Sequence, residues 1–103
     1  MSLLDIAFGE TIKKYRDFNN LTQDELAKKL GISRATVVYY EHGKQSPSFE
    51  IAVKASKVLK FDLHEIVETM EILDRNSGFN MVPESQRDAM KAKLNFIFSK
   101  NKG

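Results

Sequence analysis

Several polar side chains between residues 22 and 45 have types suited to hydrogen bonding with a charged or polar ligand. Arg34 carries a planar guanidinium, whose paired N–H groups match two adjacent acceptors such as O6 and N7 of guanine. Lys44 supplies a point charge, and Gln23 follows a helix-capping signal, where free backbone N–H groups favour a phosphate. These residue types predict contacts with nucleic acid.

The same sequence lacks the residue patterns of an enzyme. It holds no nucleophile–base–acid arrangement, no glycine-rich loop that would cradle a phosphate, and no cysteine. His42 and His64, the two histidines, lie about twenty residues apart without carboxylates at ligand spacing, so no metal site is predicted. We expect neither catalysis nor a cofactor.

Length and composition suit one compact domain with a short extension, since the chain has 103 residues of which 42% are apolar. The absence of cysteine excludes disulfides and is compatible with a reducing compartment. The first ten residues lack the basic start of a secretory signal, and no apolar run approaches the roughly 20 residues of a membrane span. We therefore expect a cytoplasmic protein with no membrane partner.

The net charge of +2 is unevenly distributed along the chain. Residues 1–83 carry eleven Lys/Arg against twelve Asp/Glu, whereas residues 84–103 carry five against two. The part that holds Arg34 is therefore slightly acidic, and bulk charge does not favour nucleic-acid binding there. Binding must depend on where a few groups point.

The elements that must position these groups are two short amphipathic segments within residues 22–43, joined at Gly31. Counting from Gln23, the small Ala27 is the fifth residue, Gly31 the ninth and the β-branched Val37 the fifteenth. That is the spacing of a helix-turn-helix, in which Gly31 takes the left-handed conformation that ends the first helix. Thr22 and Glu25 form a capping box, and Ser33 caps the second helix.

Helical periodicity extends over most of the remaining chain. Apolar residues at helical spacing predict further helices over 4–18, 49–59 and 63–75, with a second capping signal at Asp62 and Glu65. We take 4–75 as one domain. Residues 76–80 break the pattern, and Pro83 precedes a last predicted helix over 84–100.

This last helix has apolar residues on two faces, so it must be covered twice. One face would pack on the preceding helix and the other on a second chain; packing within the same chain alone remains the alternative. We assign residues 76–103 to a loop and a dimerisation helix. The residues expected to carry dimerisation are Met90, Leu94, Phe96, Ile97 and Phe98.

Residues 8–67 resemble the Cro/CI-type helix-turn-helix domain, also called XRE-like. The matching segments are Phe8-Gly9-Glu10, Leu21 to Ala27, Leu30 to Ser33, Tyr40-Glu41 with Gly43, and Pro47-Ser48-Phe49. The resemblance implies an all-α fold: a five-helix lambda-repressor-like bundle, here followed by a C-terminal helical extension. It also implies a transcriptional regulator that binds operator DNA as a dimer.

The resemblance further assigns roles to individual positions. Arg16 and Glu41 match a structural ion pair between helices 1 and 3. The positions expected to contact DNA are Gln23, Ser33, Arg34, Ala35, Val38 and Tyr39, with His42, Lys44 and Gln45 near the phosphate backbone. Relatives often carry Gln, Asn or Ser on the outer face of helix 3, whereas Ala35 and Val38 are apolar and suit a thymine methyl group.

The leading hypothesis is a sequence-specific double-stranded DNA-binding regulator, a repressor, that acts as a homodimer on a palindromic operator. The alternative is an antitoxin or controller protein with the same DNA-binding domain, whose C-terminal helix binds a partner protein. A protein-interaction module without DNA binding is a third reading, and it predicts no salt-dependent affinity for duplex DNA.

Overall fold

The computed structural model describes residues 2–77, which form five α-helices and contain no β-strand. The helices are α1 (Leu3–Phe18), α2 (Gln23–Leu30), α3 (Arg34–Glu41), α4 (Phe49–Leu59) and α5 (His64–Ser77). The all-α class predicted from the sequence is confirmed. The loop and last helix predicted for residues 76–103, and the division into two parts near residue 75, fall largely outside the described residues.

Each of the first four helices begins at a residue whose side-chain oxygen accepts a backbone N–H of the first turn. The capping residues are Ser2, Thr22, Ser33 and Ser48. At α2 the predicted capping box is complete, because the Glu25 carboxylate also accepts the N–H of Thr22 at 2.9 Å. The hydrogen bonds from Thr22 to the Glu25 carboxylate lower the pKa of Glu25. The start of α2, which carries Gln23, is therefore fixed locally.

Two glycines end the helices of the central motif in the left-handed conformation. Gly31 has φ +71° after α2, and Gly43 has φ +69° after α3. Beyond α3, the N–H groups of Gly43 and Lys44 donate to the carbonyl oxygens of Tyr40 and Tyr39 at 3.0 and 2.9 Å. This is the Schellman pattern, which satisfies the last carbonyl groups of α3 and turns the chain sharply.

The start of α5 differs from the sequence-based expectation. Asp62 accepts the N–H of His64 at 2.8 Å, but Glu65 does not complete a capping box. Its carboxylate instead accepts a hydrogen bond from the Tyr15 hydroxyl of α1, and this contact raises the pKa of Tyr15 to about 12. Glu65 thus ties α5 to α1 rather than stabilising its own helix terminus.

The core is a single cluster in which α1 packs against α3, α4 and α5, and α2 packs against α3 and α4. The ring of Phe8 meets that of Tyr40 edge to face, with centroids 5.5 Å apart. The largest fully buried side chains are Phe8, Ile12, Leu26, Leu30, Val37, Leu59, Val67 and Met70. The two short helices α2 and α3 are therefore held by two longer ones, α1 against α3 and α4 against α2.

The backbones of α1 and α3 approach each other closely at Gly9. A Cβ atom built on Gly9 would lie 2.1 Å from the carbonyl oxygen of Tyr40, far inside van der Waals contact. The backbone of α1 therefore touches the last turn of α3 directly, and any side chain at residue 9 would push the two helices apart.

Replacing Gly9 with alanine tests this contact. Because the obstructing atom is backbone and cannot rotate away, we expect Gly9→Ala to lower the free energy of unfolding by about 3 kcal/mol, the upper part of the range for overpacking. The measurement is denaturant unfolding followed by circular dichroism. Glu10→Ala on the exposed side of α1 is the control, with an expected change within about 0.5 kcal/mol. Equal stabilities for the two variants would contradict the close approach.

Candidate nucleic-acid interface

The residues of α3 divide between the core and an outer face. Val37 and Tyr40 are buried and hold the helix on the bundle. Arg34 and Ala35 are exposed, and the Tyr39 side chain keeps 49% of its surface accessible. Val38, predicted to lie on the same outer face, is half-buried at its edge. The outer face of α3 therefore takes no part in the core, and the helix is long enough to enter a DNA groove.

Ser33 is the N-cap residue of α3, and its side chain is hydrogen-bonded to the first turn of that helix. The Ser33 hydroxyl accepts the N–H of Thr36 at 3.1 Å and lies 2.8 Å from the Thr36 hydroxyl. Ser33 is exposed beside Arg34, but its side chain is already used for capping. Thr36 was not among the residues predicted to contact DNA. Its position three residues after the Ser33 cap is the signal in the sequence that its backbone N–H meets the Ser33 hydroxyl.

The loop after α3 brings the predicted phosphate-contacting residues next to one another. His42 occupies the C-cap position of α3, and Lys44 and Gln45 follow the left-handed Gly43; all three side chains are exposed. Burial raises the pKa of the Tyr40 hydroxyl, and a hydrogen bond from the Gln45 side chain opposes that rise. Gln45 therefore lies beside Tyr40 at the end of α3, whereas the Lys44 side chain extends from the loop and is exposed.

Beneath this face Arg16 of α1 and Glu41 of α3 form an ion pair through two hydrogen bonds. Arg16 Nε donates to Glu41 Oε2 at 2.6 Å, and Arg16 Nη2 donates to Glu41 Oε1 at 3.1 Å. The two side chains retain only 12% and 3% of their accessible surface. Arg16 Nη1 also donates to the carbonyl oxygen of Leu21, just before α2. One guanidinium therefore joins α1, α3 and the entry to α2, and its pKa is raised by the hydrogen bond to Glu41.

The ion pair continues outward to the predicted DNA contacts. Gln23 Nε2 donates to Glu41 Oε1 at 3.1 Å, and Gln23 Oε1 lies 3.5 Å from Arg34 Nη2. From the sequence, the ion pair and the predicted DNA contacts form two separate groups of residues. In the structure, the Gln23 side chain connects them. Nothing in the spacing signals this, because Gln23 and Glu41 are far apart in the chain and lie on different helices.

Residues 2–77 contain neither a metal-binding cluster nor a membrane-spanning helix. Within that range no group of three or more His, Asp or Glu side chains is arranged to hold a metal ion. No helix in the described part of the chain is long and apolar enough to cross a membrane.

Comparison with known proteins agrees with this geometry. The family model described as "Helix-turn-helix" matches residues 12–66, which include α2, α3 and α4 in full. The chain belongs to this helix-turn-helix family, in its Cro/CI (XRE-like) form, and is a DNA-binding transcriptional regulator.

Several relatives are HTH-type transcriptional regulators by name. The chain is 46% identical over 55 residues to an uncharacterized one from Methanocaldococcus jannaschii, a match that covers 53% of this chain and 83% of the relative. One from Archaeoglobus fulgidus is 42% identical, with 53% and 78% covered. The HTH-type transcriptional activator BcrR of Enterococcus faecalis is 28% identical over 91 residues, which cover 88% of this chain and 42% of BcrR.

The buried ion pair generates a stability prediction. Glu41→Ala leaves the largely buried Arg16 guanidinium with the exposed Asp17 carboxylate as its charged neighbour and removes its two short hydrogen bonds, so we expect the free energy of unfolding to fall by about 3 kcal/mol. Asp17→Ala is the matched control, because its carboxylate lies 3.3 Å from the same guanidinium but its side chain is 64% exposed. That pair should contribute less than about 1 kcal/mol. Similar melting temperatures for the two variants would show that burial of Glu41 does not govern the pair.

Proposed function

We propose that the chain is a sequence-specific regulator that binds double-stranded DNA as a homodimer at a palindromic operator and represses transcription. The observation that carries this proposal is the division of α3, whose inner side is locked by Val37, Tyr40 and Glu41 while its outer side is open. A helix fixed in this way presents the same side chains to every duplex it meets. Sequence preference then follows from which side chains those are.

Arg34 is the principal base reader in this proposal. It lies in the first turn of α3 and is exposed, and its guanidinium suits the two acceptors of guanine in the major groove. Ala35 and Val38 offer apolar contact to a thymine methyl group, and Tyr39 presents a ring and a hydroxyl. The preferred half-site therefore combines guanine with neighbouring thymine.

Phosphate contacts position α3 without reading sequence. They come from Lys44, His42 and Gln45 beyond α3, and from the N-terminus of α2 beside Gln23, where free N–H groups face outward. The cations among these groups are few, and residues 1–83 carry slightly more acidic than basic side chains. One copy therefore has limited electrostatic affinity, and two linked copies bind much more tightly.

The homodimer in this proposal is formed by the predicted C-terminal helix. Two recognition helices about one DNA turn apart, ~34 Å, read a palindrome. The apolar residues assigned to the contact are Met90, Leu94, Phe96, Ile97 and Phe98. Repression needs only that the bound dimer occupy an operator overlapping a promoter.

A second candidate is an antitoxin or controller protein, which the two apolar faces predicted from the sequence of residues 84–100 favour. In that case one face binds a different protein while the helix-turn-helix domain still binds DNA. Co-purification of a stable complex with the product of a neighbouring gene would support this candidate. Binding of duplex DNA by the purified chain alone is expected in both cases.

Arg34 and Lys44 are expected to differ in what they contribute to DNA binding. Selection of bound fragments from random duplex gives the operator, and affinities for operator and random duplex are then measured at two salt concentrations. Arg34→Ala should reduce discrimination between the two duplexes about 10- to 100-fold. Lys44→Ala should weaken both about equally and reduce the salt dependence by about one phosphate contact. Equal loss from the two variants would exclude Arg34 as a base reader.

The dimer contact is tested by placing a charge on the apolar face. We expect Leu94→Asp to convert the dimer to a monomer, as measured by sedimentation, because a carboxylate buried in an apolar contact has no partner. Operator affinity should fall with it, at least tenfold. Lys93→Asp introduces the same side chain at the neighbouring polar position and should remain dimeric. A dimer that survives Leu94→Asp would remove that residue from the contact.

The direction of regulation is read from a reporter placed downstream of the selected operator. Expression of the chain should lower reporter output, and removal of the operator should abolish the effect. An increase in output would instead make the protein an activator, as BcrR is by name.

A further inference from the structure

We propose that the outer side of α5 is the surface on which residues 84–100 of the same chain dock, with Ala89 against Ile72 and Lys93 against Glu68. The inference deepens the proposed function and rests on the helix that it assigns to residues 84–100. It names the side of that helix that turns toward its own DNA-binding domain, and therefore the side left for a second copy.

The apolar side of α5 is already used within the DNA-binding domain. Ile66, Val67 and Met70 are at most 3% exposed, and α5 packs on α1. These residues leave no surface for a further helix. A segment that packs on α5 must therefore use the opposite side.

This opposite side carries one large apolar side chain beside carboxylates. Ile72 keeps 49% of its surface exposed, and Glu68 and Glu65 lie one and two helical turns before it. Glu65 is bonded to Tyr15 of α1, whereas Glu68 lies 3.4 Å from His64 of its own helix and is 64% exposed. An exposed isoleucine with an exposed carboxylate one turn away suits a helix that offers small apolar residues and a lysine at the same spacing.

One side of the predicted C-terminal helix has this composition. Ala89, Ala92 and Phe96 recur at three- and four-residue spacing, and Lys93 lies beside them, one turn after Ala89. Residues 84–103 carry five Lys/Arg against two Asp/Glu, while α5 carries four Asp/Glu against one arginine. The two surfaces are therefore opposite in charge, and the small alanine side chains allow a close approach.

The length of the connection sets which residues meet. Residues 78–83 connect α5 to the predicted helix and span up to ~20 Å when extended, enough for the chain to turn back. At a rise of about 1.5 Å per residue, Ile72 and Glu68 lie about 7.5 and 13.5 Å before the end of α5. Ala89 and Lys93 lie about 7.5 and 13.5 Å after the first residue of the predicted helix. An antiparallel return therefore brings each residue opposite its proposed partner.

This arrangement divides the apolar residues of the C-terminal helix between two partners. Phe96 shares the side of Ala89 and packs on the domain, which removes it from the proposed dimer contact. The residues that face away and remain for the second copy are Met90, Leu94, Ile97 and Phe98. Each DNA-binding domain is then fixed to the helix that forms the dimer.

Disulfide formation tests the register, because the chain has no cysteine of its own. Ile72→Cys is combined with Ala89→Cys in the full chain, and the intrachain disulfide formed under oxidised glutathione is followed by mass spectrometry after free thiols are alkylated. The control combines Ile72→Cys with Lys91→Cys, which lies at nearly the same depth on the other side of the predicted helix. We expect the first pair to react at least about tenfold faster, because only its two thiols are held within bonding distance.

Charge reversal tests the pairing of Glu68 with Lys93. Either Glu68→Lys or Lys93→Glu alone should slow disulfide formation by the first cysteine pair about twofold to fivefold, the effect of one exposed ion pair. The two reversals together should restore the rate. Single reversals without effect, or a double reversal that fails to restore the rate, would overturn this contact.

Two outcomes of the cysteine experiment overturn the docking itself. Equal rates for the two pairs would show that the segment meets α5 only by random collision. A covalent dimer on nonreducing electrophoresis would show that the helix lies on α5 of a second copy. Glu68→Cys with Lys93→Cys carries the same expectation as the first pair, so a folding defect in one variant, detected by circular dichroism, leaves the other to decide.

The proposed dimer and this inference fail separately. If Leu94→Asp leaves the dimer intact while the first cysteine pair reacts selectively, the dimer contact is wrong and docking on α5 stands. If Leu94→Asp gives a monomer while both cysteine pairs react equally, the C-terminal helix forms the dimer without docking on α5, and only this inference is wrong.

Discussion

The ion pair between Arg16 and Glu41 is the interaction on which the arrangement of the DNA-binding helices depends. Buried ion pairs add little net stability compared with apolar packing, because both charges lose their hydration. They are, however, strict about direction, and this one uses every nitrogen of a guanidinium to connect α1 with α3 and with Leu21, which precedes the capping residue of α2. Its main contribution is therefore to geometry. Glu41 Oε1 also accepts a hydrogen bond from Gln23 of α2.

The short helices of the motif rely on the rest of the bundle. Isolated helices of eight residues, the length of both α2 and α3, are not stable in water. Their capping residues and left-handed ends satisfy the backbone, but burial of Leu26, Leu30 and Val37 against longer helices is what keeps them folded. The open face of α3 can consist of Arg34, Ala35 and Tyr39 because the opposite face supplies the packing.

The features predicted correctly from the sequence are local. The Thr22–Glu25 capping box, the left-handed Gly31 and the Ser33 cap of α3 each follow from spacing within one or two turns. The contacts that sequence reasoning missed join distant segments: Glu65 meets Tyr15 instead of its own helix terminus, and Gln23 meets Glu41. Local patterns cannot supply such pairings, since which partner a polar side chain finds depends on how the helices cross. The left-handed conformation of Lys60, with φ +62° at the end of α4, was also missed. Residues of this type rarely adopt that conformation, unlike Gly or Asn, so the residue type gives no sign of it.

The backbone contact at Gly9 packs α1 directly against the last turn of α3, and α1 in turn packs on α5. At this point there is no side chain that could change rotamer to accommodate a shift of α3 against α1. In the proposed dimer, α3 of one copy would then have no independent movement that could follow a displaced or rotated half-site. On that proposal, tolerance of the operator to an inserted or deleted base pair would come from whatever connects the two copies, so the permitted spacing between half-sites would report on that connection.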